Sequence, residues 1–378
     1  MKILLLGEYS NLHWTLARGL RQLGYEVTVA SNGDFWKAYP RDIDLARRPG
    51  KWGGLRLLAR VYRQLPRFTG YDIVQFINPM FFELRAQRLF PLYRFLRRHN
   101  RRVVLGAFGM DYYWVHTCIT EKPLRYSDFN IGEELRTDEA ALRERADWVG
   151  TAKERLNRLM AGEAAAIVSC LYEYDVCYRH HFPEKTHFIP LPIDIPDTAD
   201  GIAAAESTEA AHSLAGPIKL FIGISRGRSA YKGTDIMLRA AEDIVAKYAG
   251  HVVLRKAEGL PFSEYQQMMD GSDVLLDQLY SYTPSMNTLL AMSKGIVCIG
   301  GGEAENYDII HEAELRPIIN VRPTYESVYH ELEELVLHPG RLPELKRQSI
   351  AYVRRHHDYR KVARAYEALY LSILNNNS

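Results

Sequence analysis

The first thirty residues narrow the fold more than any other stretch. Residues 2–6 (KILLL) form a continuous apolar run that ends at Gly7. Leu12, Leu16, Leu20 and Leu23 then recur at helical spacing, and Gly24 stands where a left-handed residue closes a helix. Residues 26–30 (EVTVA) read as a second strand. Strand, helix, glycine, strand is a βαβ opening, which calls for a parallel sheet covered on both faces. Gly7 is followed by EYSNLHW, so the dinucleotide fingerprint GxGxxG is missing. That counts against an ordinary NAD-dependent enzyme.

The pattern continues. Strands are expected at 72–77 (DIVQFI), from Arg102 to Leu105, at 164–169 (AAAIVS) and at 187–190 (HFIP), with an aromatic-rich helix from Leu171 to His181. Residues 120–160 are charged and read as helix and loop. A stretch rich in Pro, Ala, Ser and Asp follows, and a second α/β series starts at Ile218. Its first strand runs through Leu220, Phe221, Ile222 and Ile224, and others fall at 252–254, 274–276 and 296–299, with helices after Gly233, over 262–269, and from Met286 to Lys294. A last helix covers about 359–374, with Val362, Tyr366, Leu369 and Ile373 on one face. The expected division is therefore 1–195, a linker at 196–216, a second domain at 217–355 and a C-terminal helix within 356–378 that packs back on the first domain. Two doubly wound halves joined this way imply a cleft between them.

The start MKILLLGEYS has too short an apolar run for a secretory signal, and no window approaches a membrane span. Four scattered cysteines (Cys118, Cys170, Cys177, Cys298) fit a reduced cytosolic protein. Net charge is only +2, yet residues 1–102 hold 19 Lys/Arg against 7 Asp/Glu, a local +12 that leaves −10 for the rest. Such a basic third either meets an anionic partner (a membrane surface or a phosphorylated acceptor before nucleic acid) or is simply solvated. The same choice applies to its two basic amphipathic stretches, at 55–65 and 85–102: each lies on an anionic bilayer or packs its apolar stripe on the sheet.

Chemistry concentrates at residues 221–235, FIGISRGRSAYKGTD, where Arg226, Arg228 and Lys232 occupy a short loop between strand and helix. Forked guanidinium donors and a mobile ammonium there either make a seat for a phosphate-bearing ligand or form a simply solvated basic loop. In the first half, Glu8, Asn78 and Asp111 each follow a strand and should gather at one rim, outside the carboxyl ends of the sheet. Asp111 either lines that rim or caps the next turn, and Tyr112, Tyr113 and Trp114 suit a sugar-stacking wall.

These residues resemble the retaining GT-B glycosyltransferases of family 4, the large family that includes sucrose synthase and bacterial mannosyltransferases. HFIPLPID is similar to that family's IPNGVD lead into the linker. SRGRSAYKGTD resembles its arginine-then-KG diphosphate loop, LLAMSKGIVCIGGGEAE its EAMA…GG-x-x-E stretch, and GAFGMD its HGSD turn. The resemblance implies two Rossmann-like doubly wound α/β domains facing across a cleft. It implies a metal-independent, hexosyltransferase-like enzyme of polysaccharide or glycoconjugate synthesis, with a nucleotide-diphosphate sugar as substrate and no cofactor. The acceptor would be a glycan or a lipid-linked hydroxyl and the enzyme cytoplasmic; the basic first third, separately, is the ground for expecting peripheral contact with the inner membrane face. Arg228 and Lys232 would take the donor diphosphate, Ser285, Met286 and Asn287 would offer amides at a helix start, and Gly301, Gly302, Glu303 and Glu305 would hold the donor sugar. Asp111 would join Arg228 and Lys232 as a catalytic residue, in contact with the sugar or the acceptor; Glu8, Asn11 and Asn78 fall on the acceptor side, and Arg226 matches nothing.

Three departures accompany the likeness. The family's paired glutamates align with Tyr282 and Leu290, so the ribose passes to Asn287, Asp277 or Glu305. Its HGSD histidine aligns with Phe108, and its first glycine pair is replaced by Glu8-Tyr9-Ser10-Asn11. They keep two further readings open: a catalytically silent nucleotide- or glycan-binding relative, and a sugar-nucleotide epimerase of the same architecture.

Overall fold

The computed structural model describes residues 1–195, 216–224 and 227–375; the linker up to Ala215 and Arg226 lie outside them. In chain order the first half runs β1 (Lys2–Leu6), α1 (Leu12–Gln22), β2 (Glu26–Ser31), β3 (Ile43–Asp44), α2 (Gly53–Gln64), β4 (Ile73–Phe76), α3 (Ala86–Arg98), β5 (Arg102–Ala107) and α4 (Tyr112–Thr120). A small hairpin, β6 (Asn130–Ile131) and β7 (Glu134–Leu135), precedes α5 (Glu139–Trp148), α6 (Ala152–Glu163), β8 (Ala166–Ser169), α7 (Tyr172–His181) and β9 (Thr186–Phe188). Next come β10 (Ile218–Ile224), a single helical turn α8 (Ser229–Lys232), α9 (Thr234–Lys247), β11 (Val252–Glu258), α10 (Phe262–Met269), β12 (Val274–Leu276) and α11 (Met286–Ser293). The chain ends with β13 (Val297–Gly300), α12 (Ala304–Ile309), β14 (Ile319–Asn320), α13 (Tyr325–Leu337), α14 (Leu342–His356) and α15 (Tyr359–Asn375).

Two compact units result. The first comprises Met1–Pro123, Leu142–Pro192 and Tyr359–Ser378; the second comprises Leu124–Ala141 and Ile193–Asp358. Sequence reading kept 124–141 within the first half, and the structure assigns that segment to the second. The physical reason is the set of ion pairs and stacked rings described below, which join it to residues more than ninety positions away.

In the first unit the seven strands are all parallel, in the order β3-β2-β1-β4-β5-β8-β9. Helix α15 lies on α1, so close that a Cβ on Gly19 would sit 2.6 Å from the Ala363 methyl and 2.8 Å from the Tyr359 carbonyl. A buried polar chain runs beneath. Neutral His13, its pKa lowered to about 3 by burial, donates from Nδ1 to the Gly7 carbonyl at 2.9 Å and accepts from Gln75 Nε2 at 3.2 Å. Tyr370 of α15 closes it, donating to Gln75 Oε1 at 2.7 Å. Each buried polar atom here has a partner, as burial demands.

The second unit has five parallel strands, β11-β10-β12-β13-β14. Side chains alternate along β10: Leu220 and Ile222 pack with Met237, Ala241 and Ile244 of α9, and Phe221 packs on the other face with Met269 and Ala291. Burying such a side chain fully stabilises by roughly 1.5–3 kcal/mol, and burial on both faces is why these strands read as unbroken apolar runs. Order reverses beside β1 in one sheet and beside β10 in the other. Open α/β sheets place their ligand crevice at that switch.

Glu312 locks the end of the second unit. Its carboxylate accepts from the Glu314 and Leu315 amides (2.7 and 2.9 Å), from Arg355 at 3.1 Å and from His356 Nε2 at 2.6 Å. Burial raises its pKa, but these donors more than offset that and bring it to about 2 from 4.5. A depressed carboxylate pKa stabilises the fold above the unfolded value and loses that contribution as pH falls towards the folded one. Glu312→Gln should therefore cost about 3 kcal/mol at neutral pH, with a melting-temperature gap to wild type that closes between pH 4.5 and 2. A gap constant over that range would contradict the assignment.

Candidate functional site

In the first unit the residues after β1, β4 and β5 do gather at one rim. A Cβ on Gly109 would lie 3.1 Å from the Tyr9 ring, and Asn78 Nδ2 donates to the Met110 carbonyl at 3.1 Å. Asn78 also accepts from the Met80 amide at 3.0 Å, so it ties two loops together. Glu8 is buried at the start of α1 and accepts from the His13 and Trp14 amides at 3.1 and 2.9 Å. Burial outweighs those donors and raises its pKa to about 8, which leaves it mainly the neutral acid at physiological pH. Beside it, Ser10 and Asn11 hold positive φ of 51° and 69°, a conformation unusual away from glycine.

Asp111 lies fully buried beneath this rim. Its Oδ1 accepts from the Trp114 amide (2.9 Å) as the N-cap of α4, and its Oδ2 accepts from the Tyr178 hydroxyl (2.7 Å). Burial lifts its pKa to about 7 despite both donors. Of the two sequence readings, the structure displays the cap. Tyr112, Tyr113 and Trp114 are also buried, in ring contacts with His116, Tyr178, His181, Phe182 and Tyr174, so the expected stacking wall is core. A helix start and an aromatic run have one sequence appearance on either side of a rim.

In the second unit the loop after β10 is built to bring backbone and cations close to the sheet edge. Arg228 is exposed beside the Tyr231 ring (5.2 Å), and Lys232 ends α8. Gly233 follows with φ +72°, and a Cβ there would lie 2.8 Å from Leu279 Cβ. Only glycine fits such a turn. The Lys232 carbonyl accepts from the Leu279 amide at 3.0 Å, which joins the loop to the end of β12. There Asp277, its pKa raised by burial and pulled back by Thr288 and Lys232, accepts from the Ser285 hydroxyl at 3.3 Å and the Ser285 amide at 3.5 Å.

Ser285 is the N-cap of α11, with Met286 and Asn287 in its first turn. Asn287 Nδ2 donates to the Tyr265 hydroxyl at 2.7 Å, while its buried Oδ1 has no hydrogen-bond partner among the described residues. After β13, a Cβ on Gly301 would lie 2.3 Å from the Ser281 carbonyl, and one on Gly302 2.8 Å from Ile318 Cγ2. Packing alone requires this pair. Glu303 and Glu305 follow.

Sequence reading missed the residues that hold this site together. Arg136, almost buried, donates to the Ala230 and Tyr231 carbonyls at 3.0 and 3.1 Å, pairs with Asp138 at 3.1 Å and stacks on Tyr280 at 3.8 Å. Arg125 donates to Glu305 Oε1 at 2.5 Å, Glu305 Oε2 at 3.1 Å and Glu303 Oε2 at 2.8 Å, and Tyr126 donates to Glu303 Oε1 at 2.5 Å. Burial raises Glu305, and the Arg125 guanidinium overrides it, holding that carboxyl below its ordinary value. The sequence carried only an unresolved charged stretch at 120–160.

No protein-family model matches the chain, and no curated protein matches it in sequence. Solved structures do. HepE from Anabaena, in complex with UDP and glucose, superposes over 98% of this chain and 99% of its own with a TM-score of 0.57 at 13% identity. Sucrose-phosphate synthase from Thermosynechococcus elongatus does so over 99% of each chain (TM-score 0.60, 11% identity). The fold is GT-B. UDP-GlcNAc 2-epimerase from Neisseria meningitidis, bound to UDP-GlcNAc, shares it over 98% of this chain and 100% of its own (TM-score 0.53, 10% identity). Within this GT-B chain the β10 and β1 loops occupy the two switch points, one in each Rossmann-like unit.

Proposed function

We propose that this chain is a glycosyltransferase that moves a sugar, with retention, from a nucleotide donor to a glycan or lipid-linked hydroxyl. The observation that carries the reading is the turn after β10: two cations and an obligatory glycine at the switch strand of a parallel sheet. Arg228 and Lys232 take the diphosphate there. A departing nucleoside diphosphate gains charge in the transition state, and fixed cations stabilise it more there than in the ground state, without a metal. The amides of Met286 and Asn287 add the positive end of α11. Asn287 Oδ1, which has no hydrogen-bond partner among the described residues, takes a ribose hydroxyl. Glu8, Asn11 and Asn78 form the acceptor side, and Asp111 holds the turn beneath them.

The epimerase likeness favours a second reading, which differs in needing no acceptor. The direct test is a melting-temperature screen with UDP, GDP and ADP and their glucose conjugates, followed by turnover with and without acceptor glycans. One nucleoside diphosphate should raise the melting temperature, as a native-state ligand does. Lys232→Ala should abolish that rise and lower kcat at least about a hundredfold. Wild-type turnover in that variant would refute the role, and acceptor-free sugar isomerisation would favour the epimerase.

We further propose peripheral contact of the first unit with an anionic membrane. Among the described residues no helix is long and apolar enough to cross one. Helix α3 buries its stripe of Leu89, Leu92, Tyr93 and Leu96. Helix α2 and the two residues before it instead expose Trp52 (65%), Leu55 (58%) and Tyr62 (48%) among Lys51, Arg56 and Arg63. An exposed apolar and basic helix face suits a headgroup layer. Co-sedimentation with phosphatidylglycerol vesicles should fall steeply with salt and be lost in Trp52→Glu/Leu55→Glu; binding that is absent, or unaffected by both, would refute it.

A further inference from the structure

Tyr282 stands where the resembled family has the first glutamate of its pair, and the structure shows what it does instead. It is buried, and its hydroxyl accepts from the Arg125 amide at 2.7 Å. Its ring lies 4.9 Å from the Arg125 guanidinium and 4.8 Å from the Tyr126 ring. The Tyr282 carbonyl, in turn, accepts from the Glu303 amide at 3.2 Å. The tyrosine is thus the platform that fixes Arg125 and Tyr126, and these two reach all four carboxylate oxygens of Glu303 and Glu305.

We propose that Arg125, Tyr126 and Tyr282 are positioning residues of the donor-sugar end, which set Glu303 and Glu305 to accept the hydroxyls of a neutral hexose on the nucleotide donor. This rests on the donor reading above. Two like charges two residues apart repel one another and gain from a shared cationic partner. One forked guanidinium between them orients both, and it holds the Glu305 carboxyl below its ordinary value. Each ionised carboxylate has about four lone-pair sites, so the bonds from Arg125 and Tyr126 leave acceptor capacity for sugar hydroxyls. One cation against two anions leaves the cluster at −1. A hexose whose hydroxyls donate is favoured there, and a uronic acid, whose carboxylate meets two others, is rejected. The lost glutamate pair marks a site rewired through an aromatic platform.

The experiment is calorimetric titration of wild type, Arg125→Ala, Arg125→Lys and Tyr126→Phe with UDP, GDP and ADP, with the glucose conjugate of each, and with UDP-glucuronate. Wild type should bind one glucose conjugate at least about tenfold more tightly than its parent diphosphate, and UDP-glucuronate no more tightly than UDP. Arg125→Ala should lose that increment while binding the parent diphosphate within about threefold of wild type, with Arg125→Lys and Tyr126→Phe intermediate. Taking the increment within each variant cancels any loss from general destabilisation, and Tyr126→Phe carries the test if Arg125→Ala fails to fold. An increment that survives, or grows, in the Arg125 and Tyr126 variants overturns the inference alone. Failure of wild type to bind any of the nucleoside diphosphates overturns the proposed function itself.

Discussion

One nearly buried guanidinium organises the second unit. Arg136 sits under the turn that carries Arg228 and Lys232, donating to the carbonyls of Ala230 and Tyr231, resting on Tyr280 and neutralised by Asp138. A charge taken out of water must find partners or destabilise the fold by several kcal/mol, and here those partners are the backbone of the candidate phosphate loop. The turn is therefore held from below, with Gly233 pressed against Leu279 from the side.

Arg125 plays the complementary part at the other end of the same segment, where it draws Glu303 and Glu305 together. Residues 124–141 thus hold the strand-end loops of β10 and β13 at once, although in sequence they interrupt the first unit. Sheet topology explains why these loops matter. Strand order reverses beside β10, the place where open α/β sheets bind their ligands, and Arg228, Lys232, Ser285, Glu303 and Glu305 all follow β10, β12 or β13. In the first unit the same rule brings Glu8, Asn78 and the turn over Asp111 to one rim.

Much of the fold was legible because both sheets are parallel and covered. Runs such as KILLL and LFIGI are apolar on both faces, and the leucines of α1 and the apolar face of α9 keep strict helical spacing. Strands β3 and β14 span two residues each, and the β6–β7 hairpin pairs two with two, lengths too short to carry a period. The KG turn was legible because glycine and cations sit side by side. The buried state of Asp111 was not, because an N-cap and a rim acid look alike in sequence. Arg125 was invisible for another reason: its carboxylate partners lie 178 and 180 positions away, and no local pattern encodes such a pair.

The central claim is that residues 124–141 are part of the donor site. Hydrogen–deuterium exchange of the intact chain, with and without the nucleoside diphosphate it binds, tests this most directly. Ligand should slow exchange in 227–235 and, in the same titration, across 124–136, because Arg136 and Arg125 couple the two. Protection confined to 227–235, with 124–136 unchanged at saturation, would contradict it.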